Sequence, residues 1–128
     1  VGKATGKTKQ DRTQIFADWK YQLAELAECK NVSTKMSGLF MPVLGHDFHT
    51  QKRLATKQEL VECAAPLIQH ALYCFGSGRV MFASNFPMDS VSSSLTNIID
   101  AFSDIVQDYD ENALKPIFYE NAKRFYRL

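Results

Sequence analysis

The sequence predicts an α/β chain with parallel strands, about two strands with four or more helices, cut from a larger sheet or barrel. Three observations carry this. Strand-like and helix-like periodicities alternate along the 128 residues. Only two stretches read as strands. Two parallel strands cannot bury the apolar faces of four helices and still have their own edges covered.

The elements follow in order. Over residues 11–30, Ile15, Phe16, Trp19, Leu23, Leu26 and Ala27 recur at helical spacing, with Asp11 placed to cap the N-terminus. Residues 31–38 alternate, Val32, Thr34 and Met36 on one face and Ser33, Lys35 and Ser37 on the other, which is a strand. Residues 39–55 hold Pro42, Gly45, His46, Asp47 and His49 without periodicity, and a connection of that length is usually functional or mobile. Thr56 and Glu59 then form a capping-box pattern that opens a helix through Leu60, Ala64, Leu67, Ile68, Ala71, Leu72 and Phe75 to Gly76. Pro66 inside it predicts a kink or a division.

Residues 79–84 are short and mostly apolar, as a strand buried on both faces should be, and Asn85-Phe86-Pro87 ends it. From about residue 92 to 109, Leu95, Ile98, Ile99, Phe102, Ile105 and Val106 mark a further helix. Asp110 is placed to cap a last one carrying Leu114, Ile117, Phe118, Ala122, Phe125 and Leu128. No internal repeat or low-complexity segment interrupts the order, and residues 1–128 read as one domain.

Composition narrows the function. Hydrophobic residues make up 45% and charged residues 23%, an ordinary globular mixture. The net charge of +1, from 15 basic and 14 acidic side chains, leaves no electrostatic footprint for nucleic acid or an anionic membrane. No apolar run is long enough to span a bilayer, and the start lacks the apolar core of a signal peptide. Cys29, Cys63 and Cys74 are odd in number and lie in helical-looking stretches without C-x-x-C spacing, which predicts a reduced, cytoplasmic protein with buried thiols. Val1 in place of a methionine points to a processed, tagged or truncated product.

Several motifs invite chemistry. The run Gly2-Lys3-Ala4-Thr5-Gly6-Lys7-Thr8 looks like a phosphate loop, but Gly2 is one residue too close to Gly6 and no strand precedes it, so a flexible basic loop is the better reading. His46 and His49, three apart, could touch a substrate; no third ligand stands at a metal-binding spacing, and no metal ligand is assigned. His70 falls on a helix and reads as structural. Asn85 immediately follows a buried strand, at the end where barrels build active sites, and it either orients a substrate or caps the following turn. On the first strand, Lys35 and Ser37 face the interior if Val32, Thr34 and Met36 face the helices. A lysine there binds an anionic group or pairs with a carboxylate.

These residues also resemble a known family. Phe16-Ala17-Asp18-Trp19, Leu23-Ala24-Glu25-Leu26-Ala27 and residues 31–39 (Asn31-Val32-Ser33-Thr34-Lys35-Met36-Ser37-Gly38-Leu39) are similar to the amidohydrolase-related pattern of a helix with W and L-x-x-L/A, then NV-x-x-K-x-SG. Residues 75–87 resemble its FG-x-x-R-x-x-F-G-S-D/N-W/F-P, and residues 121–128 resemble its NA-x-R-x-Y-x-L close. The landmarks cover almost the whole chain in the right order. The resemblance implies the C-terminal fragment of a (β/α)8 TIM barrel, with the strand from Asn31 as the seventh, the strand ending at Asn85 as the eighth, and the upstream strands absent. Members include lactonases, decarboxylases and other hydrolases of small carbonyl compounds, some metal-dependent and some not.

The family's N-terminal H-x-H and its later strand-end histidine would lie upstream of Val1, so the ligands of any divalent metal, zinc in particular, would lie mostly there too. The family usually has an aspartate where this chain has Asn85. An amide neither takes a proton at neutral pH nor ligates a divalent cation well. The match of Asn85-Phe86-Pro87-Met88-Asp89 suggests a subset in which Asn85 orients substrate and Asp89 is the nearest carboxylate able to substitute.

The resemblance therefore implies a parent hydrolase that uses activated water on a lactone, amide or related bond, with a small molecule as its partner. This chain alone would be inactive. Two alternatives stand beside it: a catalytically incomplete barrel that binds without hydrolysis, and a small α/β interaction domain.

Overall fold

Residues 9–128 are described in the structure, a computed structural model. The phosphate-loop-like run at residues 2–8 lies outside them. In chain order the main elements are α1 (Lys9–Ala27), β1 (Thr34–Met36), α2 (Lys57–Phe75), β2 (Val80–Phe82), α3 (Leu95–Tyr109) and α4 (Asn121–Tyr126). β1 and β2 pair in parallel, with Thr34 opposite Val80, Lys35 opposite Met81 and Met36 opposite Phe82. The α/β class and parallel pairing are as expected from the sequence.

Both strands are shorter than the expected 31–38 and 79–84. Before β1, the Val32 amide is used in a turn to the Cys29 carbonyl at 3.0 Å, and the ladder starts only where Thr34 donates to Arg79 at 2.8 Å. After it, Gly38 is left-handed at φ +65, which ends the extended run. The ladder's last rung is the Ala83 amide on the Met36 carbonyl, 3.1 Å, before Asn85 turns left-handed at φ 56.

The expected division of faces holds. Met36, Val80 and Phe82 face the helices, and the Phe82 ring meets Phe102 edge-on at 4.9 Å and stacks on Phe118 at 4.5 Å. Lys35 is exposed, so its charge remains hydrated. Both faces of β2 are covered, Val80 at 1% and Met81 at 3% exposure, as its apolar run requires.

α2 is the central helix. Its capping box forms, the Glu59 amide donating to Thr56 Oγ1 and the Thr56 amide to Glu59 Oε2 at 2.8 Å. It buries Leu60, Ala64, Leu67, Ile68, Ala71, Leu72 and Phe75 against α3, which offers Ile98, Ala101, Phe102, Ile105 and Val106. Pro66 does not divide it; the helix runs unbroken from Lys57 to Phe75. Pro66 and Glu62, whose carbonyl loses its i+4 donor, are both exposed, so water can serve the orphaned oxygen. Gly76 ends the helix with φ 69, its amide on the Leu72 carbonyl at 2.8 Å.

Three other expectations need correction. Leu26 is 47% exposed although its spacing places it on the apolar face of α1. Cys29 lies beyond α1 and is exposed, so only Cys63 and Cys74 are partly buried thiols, and all three are free. The last helix is not uniform. Asp110 caps a 3-10 turn at Glu111–Ala113, accepting from the Asn112 amide at 2.9 Å, and a π-helical stretch at Pro116–Glu120 leads into α4. Pro116 has no amide to donate, and the Asn121 amide returns to the Pro116 carbonyl in the wider π register. Among the described residues no helix is long and apolar enough to cross a membrane.

Side chains lock the N-terminal ends of the strands. The Arg79 guanidinium donates to three carbonyls, Ala27 at 2.9 Å, Cys29 at 3.1 Å and Val32 at 3.0 Å, which ties the C-terminus of α1 to the start of β2. Asn121, 3% exposed, donates from Nδ2 to Ser77 (2.6 Å) and Val80 (2.7 Å), and its Oδ1 accepts from Arg124, which also donates to the Gly78 carbonyl. His70 is structural: its Nε2–H bridges to the Lys20 carbonyl at 3.0 Å and its ring lies 5.7 Å from Trp19, joining α2 to α1.

Candidate functional site

A cleft of about 500 Å³ runs along the edge of β1 that is not paired with β2, from Thr34 to Gly38, and reaches Asn85 just past the C-terminal end of β2. Trp19 and Leu23 of α1, Leu67 of α2, and Met41 and Leu44 of the long loop form an apolar wall. Against it stand three polar side chains that the sequence singles out: Lys35, Ser37 and Asn85. A mostly apolar concavity with a few placed polar groups is the usual form of a small-molecule site.

Each polar group is set by local structure. Lys35 reaches along the inner face; its Nζ is 3.5 Å from Tyr126 Oη and 5.9 Å from that ring's centre. Among the described residues it pairs with no carboxylate. Two features favour glycine at 38: its φ is +65, and an added Cβ would stand 3.3 Å from Asn85 Nδ2, which would have to give by a few tenths of an ångström. Asn85 occupies the left-handed region that asparagine tolerates better than most residues.

Asp89 is not on the cleft wall. It sits behind Asn85, 1% exposed, at the start of a 3-10 turn (Met88–Val91), and its Oδ1 accepts from Asn85 Nδ2 at 3.2 Å. Burial pushes its pKa up, opposed by the hydrogen bonds from Asn85 and from the Phe40 amide. Around it the turn grips both ends of the long loop. Ser92 Oγ donates to the Phe40 carbonyl at 2.6 Å and Ser93 Oγ to the Ala55 carbonyl at 2.6 Å, while the Ala55 amide donates to Ser92 at 2.9 Å. Every one of these buried polar groups has a partner.

His46 and His49 do not line the cleft. His46 packs on α2 with its ring nitrogens 3.3 and 3.5 Å from Cys63 Sγ, and stacks on Phe48 with ring centres 5.5 Å apart. Burial chiefly holds its pKa below the ordinary 6.5, and burial pushes the Cys63 thiol up to about 11, so at neutral pH an uncharged imidazole meets an uncharged thiol. His49 is exposed on the 3-10 turn Phe48–Thr50. Among the described residues no three or more of His, Cys, Asp and Glu converge to hold a metal ion.

Residue-by-residue reading missed two features of this region. Trp19 and Leu23 look like ordinary core positions of an amphipathic helix, yet they wall the cleft. The serines at 92 and 93 look like a polar helix start, yet they are 1% and 0% exposed and pin the loop. Nothing in a serine's identity signals a carbonyl partner 38 or 52 residues away.

Comparison with known proteins adds the following. The amidohydrolase family pattern matches residues 2–128. An uncharacterized protein, y4mH, of Sinorhizobium fredii (strain NBRC 101917 / NGR234) is 34% identical over 118 residues, which is 92% of this chain and 35% of that protein. Two crystal structures of an amidohydrolase from Burkholderia multivorans, one with bound zinc and one with bound HEPES, superpose with a TM-score of 0.70 at 24% identity. They cover 88% of this chain and 38% and 37% of theirs. The chain thus spans little more than a third of the length of the proteins it matches, and its fold is that of part of a (β/α)8 barrel.

Proposed function

The chain belongs to the amidohydrolase family, and from that premise we propose that the protein carrying it adds water to a small carbonyl compound, a lactone, an amide or a related C–O or C–N bond. Family and fold support a hydrolase-like role. The observation that carries the reading is the meeting of Lys35, Ser37 and Asn85 on one apolar-walled cleft along β1, with Ser37 and Asn85 just past the C-terminal ends of two parallel strands, the end at which barrel enzymes place their chemistry.

In this reading Lys35 supplies a point charge for an anionic group of the substrate. Ser37 offers a hydroxyl on the same wall. Asn85 orients the bound molecule but cannot remove a proton from water, so the base that activates water is another group. A divalent ion, if the reaction uses one, would polarise the carbonyl or acidify water. The described residues do not fit that ion by themselves, since no cluster of ligands converges and Asp89 is held by a hydrogen bond behind Asn85.

The test is turnover by the intact protein across a panel of lactones, amides and esters. The expected result is hydrolysis of at least one class, with Lys35→Met lowering kcat/KM for anionic members about ten- to a hundredfold, the worth of a charge-assisted hydrogen bond. A second reading, a barrel that binds without hydrolysing, is favoured by Asn85 standing where the family usually has an acid. Tight binding of a panel member with no turnover of any would replace the first reading with the second.

A further inference from the structure

The C-terminal segment carries charge that the rest of the chain does not. Residues 115–128 hold four of the 15 basic side chains and one of the 14 acidic ones, so they are strongly positive while the remainder is slightly negative. Lys115, Lys123, Arg124 and Arg127 line one open depression of about 730 Å³, with Tyr119 and Glu120 between them. It shares no lining residue with the cleft along β1. Glu120 is already engaged, its carboxylate 2.9 Å from Lys115 Nζ. Arg124 is engaged as well, on the Gly78 carbonyl and Asn121 Oδ1. Among the described residues Lys123 and Arg127 pair with no carboxylate, and both are exposed. Two such cations on one concavity attract an anion to it.

A smaller depression of about 280 Å³ adjoins the basic one. It is lined by Phe118, Tyr119, Ala122, Lys123 and Leu128, and shares Tyr119, Lys123 and Leu128 with its neighbour. Its size and aromatic walls suit a flat ring rather than a long acyl chain. Phe118 and Tyr119 both come from the π-helical stretch Pro116–Glu120, and such stretches are rare and frequent at functional sites.

We propose that the two depressions form one site for a nucleoside phosphate, with the phosphates on Lys123 and Arg127 and the base against Tyr119 and Phe118. Arginine meets phosphate oxygens through its planar fork and lysine as a point charge. A base needs only an aromatic face to stack on, which tyrosine supplies. Lys123 Nζ, 5.7 Å from the centre of the Tyr119 ring, stands where the two halves meet.

The test is calorimetric titration of the intact protein, free of divalent ions, with ATP and separately with tripolyphosphate and adenosine, which stand for its two halves. ATP is expected to bind about tenfold more tightly than tripolyphosphate, the worth of one stacked base, and adenosine more weakly than either. Combining Lys123→Gln with Arg127→Asn is expected to weaken ATP and tripolyphosphate about a hundredfold, the loss of two charge-assisted hydrogen bonds. Both side chains are exposed, and asparagine tolerates the left-handed backbone of residue 127, φ 58, so the fold is kept. Tyr119→Ala is expected to erase the advantage of ATP over tripolyphosphate while leaving tripolyphosphate binding unchanged.

Failure of ATP to bind overturns the proposal, as does binding that the double variant leaves intact. Tripolyphosphate binding as tightly as ATP to the wild-type protein leaves the base no role and overturns it too. Retention on phosphatidic acid vesicles without binding of ATP would mark a lipid anion and overturn the nucleoside assignment.

Discussion

The two ends of the strand pair are built differently. At the N-terminal ends, Arg79, Asn121 and Arg124 donate to six backbone carbonyls, those of residues 27, 29, 32, 77, 78 and 80. At the C-terminal ends, two residues are left-handed, Gly38 and Asn85, and among the described residues nothing donates to Asn85 Oδ1, while Lys35 in the middle of β1 reaches Tyr126 Oη of α4 at 3.5 Å. One end is satisfied and holds the fold; under the proposed function the other is where a ligand binds. That is the division of labour expected of a barrel, where the bottom face reads as stability and the top as chemistry.

Breaking the satisfied end should cost the most. Asn121→Ala leaves the Ser77 and Val80 carbonyls and the Arg124 guanidinium short of a partner, and is expected to destabilise the intact protein by about 3 kcal/mol, read from urea unfolding. Arg79→Met removes three bonds at the C-terminus of α1 and the turn into β1. Because that site is only half-buried and water can replace part of the loss, about 2 kcal/mol is expected. Neither change should alter turnover per folded molecule.

The open end should respond the other way, with little loss of stability and a large change in binding. Gly38→Ala is expected to cost about 1 kcal/mol for a non-glycine residue at φ +65. Its Cβ would press on Asn85 Nδ2 at 3.3 Å and disturb the amide, so kcat/KM should fall further than stability does.

The smallest expected effect is that of pH on the long loop. Burial lowers the folded-state pKa of His46 below its ordinary 6.5. The stability of the neutral ring is therefore present above pH 6.5 and is lost as pH falls from there through the folded value, because the unfolded chain binds the proton first. Thermal midpoints measured downward from pH 7 should decline, and His46→Phe should flatten that limb.

What could be read from sequence was local. The capping box at Thr56 and Glu59, the inward face of Lys35 and the strand-end place of Asn85 follow from spacing over three to eight residues, and periodicity reports such distances well. The clamps at Arg79 and Asn121 join segments 41 to 52 residues apart through backbone carbonyls. Every residue carries such a carbonyl, so no pattern of residue types reveals which one is chosen. The place of His46 on Cys63 depends on how the long loop folds back on α2, and that of Asp89 behind Asn85 on the turn that joins them, neither of which residue spacing states. Pro66 does not divide α2, and whether a proline divides a helix depends on whether solvent reaches the carbonyl it orphans, which is a tertiary fact.

The central claim, that the satisfied end holds the fold while the open end holds the chemistry, is tested most directly by kcat/KM of Asn85→Ala and Asn121→Ala in the intact protein, measured below both melting midpoints. The account predicts a loss of about tenfold or more for Asn85→Ala and wild-type turnover per folded molecule for Asn121→Ala. Unchanged turnover in Asn85→Ala, or an equal loss in both, would contradict it.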